Sequence, residues 1–321
     1  MDGFEELVRV RRGDRVESVH RAAAVICDAG NVREAWGGGA AVIYPRSACK
    51  MIQALPLVEA GVEDDPRRLA LACASHQGEA TQTGLVAGWL ADLGLGEGDL
   101  RCGAHMPYDE ATAQGLIRAG EAPCQLHNNC SGKHAGFLAL GRRIGGGPEY
   151  HEPGHPVQRA VREAFEAVTG MASPGYGIDG CSAPNFATRL DALGLAMARF
   201  AVGADGSRGR AMARLRDAMA RHPELVAGTG RTCTALMGAA GHGAVLKTGA
   251  EGVFVAILPA QGLGVALKVA DGATRAAEAL IAALLVRAGA IDARHPAVLA
   301  RSAAPIVNRR GVETGAIETL I

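Results

Sequence analysis

Tyr44-Pro45-Arg46-Ser47-Ala48-Cys49-Lys50-Met51-Ile52-Gln53-Ala54-Leu55-Pro56-Leu57-Val58-Glu59-Ala60-Gly61 is the stretch from which the rest of the chain can be read. Pro45 and Arg46 close an apolar extended run, and Ile52, Leu55 and Val58 then recur at helical spacing as far as Gly61, so the stretch predicts strand, turn and helix. Ser47 and Lys50 lie three apart at the helix entry. They therefore share a face, with Ser47 near the unsatisfied amides of the first turn. Such a pair can be a nucleophile and its base; taken alone it reads more often as an N-cap followed by a solvated lysine.

The rest of the composition narrows the choice. The 321 residues suffice for one large domain or two interlocked ones. Hydrophobic residues make up 48%, in short runs broken by Gly or charge, so no segment reads as a membrane span. The 33 basic and 33 acidic residues cancel, which gives no bulk field for nucleic acid or an anionic membrane and points to a small-molecule partner. The acidic start, Met1-Asp2-Gly3-Phe4-Glu5-Glu6, lacks the basic and apolar regions of a signal peptide, and the expected location is the cytoplasm. Eight scattered cysteines argue against a disulfide framework, and without Cys-x-x-Cys any metal site must be assembled from separated ligands.

In chain order, residues 7–10, 16–26 and 40–44 read as three strands in a hairpin arrangement, punctuated by Gly13-Asp14 and Gly30-Asn31. The apolar run 69–74 stops abruptly at Ser75-His76-Gln77-Gly78-Glu79, a place suited to presenting side chains into a cleft or to capping the amphipathic run that follows. His127-Asn128-Asn129-Cys130-Ser131-Gly132-Lys133-His134 gathers polar groups at a predicted helix start and resembles a ligand or anion pocket. A helix is expected over 110–119 and another over 156–168. Gly177-Ile178-Asp179-Gly180-Cys181-Ser182-Ala183-Pro184 has the same polar character, and Pro184 is expected to open a helix. Met212, Leu215 and Met219 form a core stripe. Strands 252–259 and 264–269 form a hairpin, 273–288 is an amphipathic helix, and the tail from Ile291 reads as an appendage. The strands at both chain ends are expected to share a sheet, which divides the chain into a sheet-containing part (1–46 and 225–321) and a mainly helical part (47–224).

The order of Ser-x-x-Lys, a helical middle and Lys247-Thr248-Gly249 before a hairpin is that of the serine β-lactamases and penicillin-binding proteins. More specifically, five blocks in order resemble the rhizobial-type (class 3) L-asparaginases: Ser47-Ala-Cys-Lys50, Cys73-Ala-Ser75-His76-Gln-Gly-Glu79, His127-Asn-Asn-Cys130-Ser-Gly-Lys133-His134, Asp179-Gly-Cys181-Ser-Ala-Pro-Asn185 and Lys247-Thr-Gly-Ala-Glu251. The resemblance implies an α/β (α+β) fold of the serine β-lactamase/glutaminase type, with an antiparallel sheet flanked by helices and a helical middle. It implies a homodimer that hydrolyses the side-chain amide of L-asparagine to aspartate and ammonia. The two Ser-Lys pairs would be Ser47 with Lys50 and Ser75 with Lys247. A zinc ion would sit on Cys130, Lys133 and Cys181 with Asp179 behind them, and a Cys130 and His134 pair stays open as the alternative. Glutaminase or β-lactam hydrolysis on the same fold, or a silent zinc or amino-acid binding protein, are the competing readings.

Amide hydrolysis requires a deprotonated hydroxyl, a proton for ammonia and donors for the oxyanion. A lysine of ordinary pKa costs about 4 to 5 kcal/mol to neutralise at pH 7, so burial and a second cation must lower it; Lys247 near Lys50 would do so. Ser47 is the expected nucleophile and Lys50 its base. Arg231 is expected to hold the substrate carboxylate and Glu79 its ammonium, with Arg46, Asn129 and Asp179 as further substrate-binding candidates.

Overall fold

The computed structural model describes residues 3–321; Met1 and Asp2 of the acidic start lie outside it. Alternating residues with bulky or β-branched side chains form Glu5–Arg12 and Arg15–Cys27, and Gly13, at φ +52°, supplies the left-handed turn between them. Leu263–Val269 lies along the far half of Arg15–Cys27, followed across the sheet by Val253–Leu258 and then Val245–Thr248 at the edge. Val32–Trp36 pairs with Arg15–Cys27, and Glu313–Thr319 and Pro305–Val307 extend the other side, giving an eight-stranded sheet whose pairings are all antiparallel. Both chain ends thus share the sheet, as expected. An antiparallel sheet flanked by helices, with a helical middle of the chain, is the architecture present.

The central strands Val253–Leu258 and Leu263–Val269 are buried along almost their whole length, so the sheet is covered on both faces. Leu190–Val202 lies on the face that carries Gly264 and Ala266, and Thr274–Arg287 packs on the face of the alternate residues. The first contact is close because a Cβ on Gly264 would stand 2.1 Å from the Ala198 amide nitrogen and 2.4 Å from the Gly194 carbonyl oxygen.

Several expectations are corrected. Residues 40–44 do not join the main sheet: Val42–Ile43 pairs with Thr188–Arg189 in a separate ribbon, because the glycines at 37–39 turn the chain away after Val32–Trp36. Pro184 opens no helix; Pro184–Phe186 pairs with Tyr176–Ile178, and the next helix starts at Leu190. The tail from Ile291 is no appendage. It supplies Pro296–Ser302 and two strands, with Ile317 facing Val10 in register. The expected helix after Ser47 is broken into a 3₁₀ turn, Arg46–Cys49, and two short helices, Lys50–Gln53 and Leu55–Glu59, divided ahead of Pro56, whose nitrogen cannot donate. The helices Glu110–Ala119 and Pro156–Thr169 are where periodicity puts them, and Met212, Leu215 and Met219 are buried.

Gly264→Ala should lower the unfolding free energy by about 3 kcal/mol, although Ala is ordinarily the better strand residue, because backbone rather than a movable side chain occupies the space. Urea unfolding of the two proteins measures it; a loss under half a kcal/mol would show that the helix can retreat at no cost.

Candidate active site

Three distant segments meet at one oxygen. Pro66–Ala72 ends in an extended stretch in which the Ser75 amide donates to Val226 O at 2.9 Å and the His76 amide to Asn129 O at 3.2 Å, so Ser75 is fixed between two neighbouring segments. Lys247 lies in the edge strand Val245–Thr248, in register with Val255. Lys50 opens Lys50–Gln53. Lys247 Nζ donates to Ser75 Oγ at 2.8 Å and to Thr248 O at 2.7 Å, and Lys50 Nζ donates to the same Ser75 Oγ at 3.0 Å, to Ala74 O and to Cys130 Sγ at 3.1 Å. Both lysines are 1% exposed. Burial, and then the charge of Lys50, lower the Lys247 pKa to about 7.

These two belong to a wider pattern. The chain has four lysines and all four are buried: Lys50, Lys133, Lys247 and Lys268. None is paired with a carboxylate among the described residues; their partners are hydroxyl, thiol and carbonyl groups.

The 3₁₀ turn that carries Ser47 is held from three sides. Arg46 adopts φ +51°, a left-handed conformation that costs on the order of 1–3 kcal/mol in a residue with a Cβ. Its Nε and Nη2 donate to Asp179 Oδ1 at 3.0 and 2.7 Å, and its amide donates to Asn185 Oδ1 at 3.2 Å. Gly249 closes the third side: a Cβ there would meet Pro45 O at 2.7 Å and the Ala48 amide nitrogen at 3.1 Å, so only glycine lets the end of the Lys247 strand lie on this turn.

Beyond Lys50 the contacts continue into a thiol pair. Lys133 Nζ, at the start of Ser131–Ile144, donates to Cys181 Sγ at 3.0 Å, and Cys130 hydrogen-bonds to Cys181. That bond from Cys130, with Lys133 beside it, overcomes burial and holds Cys181 well below an ordinary thiol, while the same bond and burial push Cys130 up to about 12. Burial works against the Lys133 ammonium, but the adjacent sulfur charge outweighs it and raises its pKa. The cluster thus sets two sulfurs, one with its pKa held down and one with it pushed up, between two lysine side chains. Its donor types suit zinc. Zinc holds S and N donors about 3.5 Å apart in a tetrahedral site, so Lys133 and Cys181 need to open by only about half an ångström, and Lys133 must give up a proton. No group of three His, Cys, Asp or Glu side chains among the described residues could hold a metal, so a metal here would need Lys133 beside the two thiols. His134, the alternative partner of Cys130, turns Nδ1 to Tyr150 Oη at 2.8 Å and leaves Nε2 buried without a hydrogen-bond partner.

A cavity of about 280 Å³ opens onto this centre, with Ser47 and Ser75 in its wall. Lys50 Nζ makes no hydrogen bond to the Ser47 hydroxyl; the hydroxyl it holds is that of Ser75, so the expected side-chain pairing of Ser47 with Lys50 is not the contact present. Asn129 and Arg231 line the cavity. Glu79 does not. It caps Ala80–Asp92, and its carboxylate accepts from the Thr229 amide at 2.8 Å and the Thr229 hydroxyl at 3.2 Å, which anchors the loop leading to Arg231. Arg46 and Asp179 engage each other behind Ser47, and Arg46 faces a second cavity instead. Sequence reasoning missed Glu278, an acid in the wall of the first cavity. Its signal was a lone carboxylate in the otherwise apolar stretch 276–285 of the amphipathic helix expected over 273–288.

The chain matches, over residues 8–319, the family model described as L-asparaginase II. Among solved structures it is similar to a β-lactamase from Mycobacterium bovis, at 16% identity over 83% of this chain and 94% of that one, with a TM-score of 0.43. It is also similar to a candidate β-lactamase from Bacteroides dorei, at 12% identity over 77% of this chain and 84% of that one, with a TM-score of 0.42. No curated protein matches it.

Asp179 is held below the usual carboxylate range because the bonds from Arg46, with the charge of Lys133, outweigh burial. A carboxylate depressed in this way stabilises the fold fully above its unfolded pKa of about 4, and that contribution fades as the pH falls through its folded value. Asp179→Asn should therefore cost about 1–3 kcal/mol at pH 7, and the difference from wild type should shrink in acid. Denaturant titrations at pH 7 and pH 3 measure both; an equal difference at the two values would remove the ion pair as the cause.

Proposed function

Because the chain belongs to the L-asparaginase II family of amidohydrolases, we propose that it converts L-asparagine to L-aspartate and ammonia by Ser-Lys nucleophilic catalysis beside a zinc site. The observation that carries this reading is Ser75 Oγ, held at 2.8 Å by a lysine whose pKa is lowered to about 7 and at 3.0 Å by a second lysine, at the wall of a cavity that Ser47 also lines. Neutral Lys247 accepts the Ser75 proton, and the Lys50 ammonium stabilises the oxygen left behind. Ser75 is then the group that relieves Ser47 of its proton as Ser47 Oγ bonds to the amide carbon. Ser75 already serves two amines, whereas Ser47 makes no hydrogen bond to either and is free to attack. Collapse of the tetrahedral intermediate breaks the C–N bond, and the proton stored on Lys247 leaves through Ser75 with ammonia. Water then attacks the acyl-Ser47 ester by the same proton path and releases aspartate. The Ser47 amide would be a donor to the oxyanion, since those of Arg46, Ala48 and Lys50 are engaged by Asn185, Pro45 and Ser47.

Cys130, Cys181 and Lys133 would hold the zinc ion. When bound, it supplies a Lewis acid that orients and polarises the substrate. The serine chemistry is complete without a metal-generated nucleophile.

Two further features complete this reading. Val42, Tyr44, Tyr176 and Ile178 are exposed around the two small ribbons, with Tyr44 lying over Gly177, an apolar face that suits the second copy of a homodimer. All eight thiols are free, as suits the cytoplasm, and no helix among the described residues is long and apolar enough to cross a membrane.

Three outcomes test this. Ser47→Ala, Ser75→Ala and Lys247→Met should each lower ammonia release from L-asparagine by on the order of 10³-fold or more, with the double variants no worse than the singles. Mass spectrometry of enzyme trapped with a slow amide or ester should find the acyl group on Ser47; a label on Ser75 would reverse the two roles. Since the base must be neutral, kcat/KM should rise with pH through about 7 and then level, and a profile flat from pH 5 to 9 would remove Lys247 from that role.

A separate measurement addresses zinc. Protein purified without chelator should hold one equivalent per chain, and its removal or Cys181→Ser should chiefly raise KM. Loss of all turnover at saturating substrate after clean removal would assign the metal a larger part.

A further inference from the structure

The reaction cavity is lined by two opposite charges that nothing among the described residues neutralises. Arg231 is the exposed residue immediately before Thr232–Ala240, and Glu278 projects from the middle of Thr274–Arg287. Both line the cavity that holds Ser47 and Ser75, and neither enters an ion pair among the described residues. They do not pair with each other, yet their fields reach the same buried group: Glu278 raises the pKa of the Cys233 thiol and Arg231 lowers it, while burial sets the larger part of its shift. Thr274 and Glu278 are one helical turn apart and both line the cavity, so this face of the helix is turned toward it.

Resting on the asparaginase reading above, we propose that Glu278 receives the α-ammonium group of the substrate, opposite Arg231 on the α-carboxylate, and thereby restricts the enzyme to amides of α-amino acids. A zwitterionic head one methylene from the scissile amide requires an anion and a cation side by side, separated from the nucleophile, in a space small enough to bring all three groups to the wall. The cavity of about 280 Å³ has this composition. Glu79, the acid nearest the site in sequence, cannot serve, because its carboxylate is occupied by the amide and hydroxyl of Thr229. Lys50, buried behind the Ser75 wall of the cavity, repels an ammonium group and favours the orientation that sends it toward Glu278.

The test compares L-asparagine with succinamate, which is the same molecule without the ammonium group. Wild type should prefer L-asparagine in kcat/KM. Glu278→Gln, matched to wild type in thermal unfolding, should reduce that preference by about 10- to 100-fold, mostly through KM, the range expected for one lost charge-assisted hydrogen bond. An unchanged preference, or a parallel fall on both amides, would overturn the assignment. Calorimetric binding of L-aspartate and succinate distinguishes a failure here from a failure of the asparaginase reading. If wild type hydrolyses neither amide but Glu278→Gln loses affinity for L-aspartate alone, the ammonium site stands without that activity. If affinity for both ligands is unaffected, Glu278 has no part in recognition.

Discussion

Two buried amines on one hydroxyl oxygen set the terms for the rest of the molecule. With Nζ–Oγ distances of 2.8 and 3.0 Å, Lys50 and Lys247 are no more than about 6 Å apart. Two unit charges at that separation repel by about 3 kcal/mol even at an effective dielectric near 20, and there is no carboxylate partner to offset it. The strain falls on Lys247, whose pKa is lowered to about 7 and whose hydrogen-bond partners are Ser75 and a carbonyl. Lys50 keeps a counter-charge within reach, because Cys130 connects it to the Cys181 thiolate. The sulfur pair thus favours charge on Lys50 over charge on Lys247, and the base role proposed for Lys247 rests in part on sulfur atoms it never touches.

Long-range construction is what makes this arrangement possible. Lys247 belongs to an edge strand paired only with Val253–Leu258, so its position depends on a hairpin docked against strands from the other end of the chain. Ser75 depends on the segment at Val226, Lys50 on the turn clamped by Asp179 and Asn185, and the two cysteines on separate polar blocks. None of these segments could bury its amine or thiol alone. The large apolar core supplied by the sheet and its two covering helices offsets the desolvation of these groups, which helps explain why so small a reaction centre comes with so large a scaffold.

Reading the chain before its structure recovered what local physics controls. Glycine-led turns, amphipathic helices and the polar blocks that interrupt apolar runs were all visible, and the blocks identified the family because their residue types are rare in such surroundings. Pairing across space was harder. Ser47 and Lys50 share a helical face by spacing, yet Lys50 reaches the hydroxyl of Ser75, since a long flexible side chain follows burial rather than sequence proximity. Glu79 stood in the right block but is consumed by Thr229, while Glu278 lay unnoticed in an otherwise apolar helix. The left-handed backbone at Arg46 has no local signature, because the strain is compensated by Asp179 and Asn185 more than a hundred residues away. The last strands of the sheet were overlooked because 305–319 is only partly buried and shows weak alternation.

The sequestration of every lysine has a practical side. All the basic side chains at the surface are guanidinium groups or imidazoles, so reagents and enzymes that modify lysine amines find no target on the folded protein. Beyond the α-amino group, acylating dyes, amine cross-linkers and lysine acetylation would report instead on opening of the interior, and any lysine they did reach would be one the site or the core cannot spare. By the same logic a single lysine introduced on the surface would be the one exposed lysine side chain, chemically separate from the four inside.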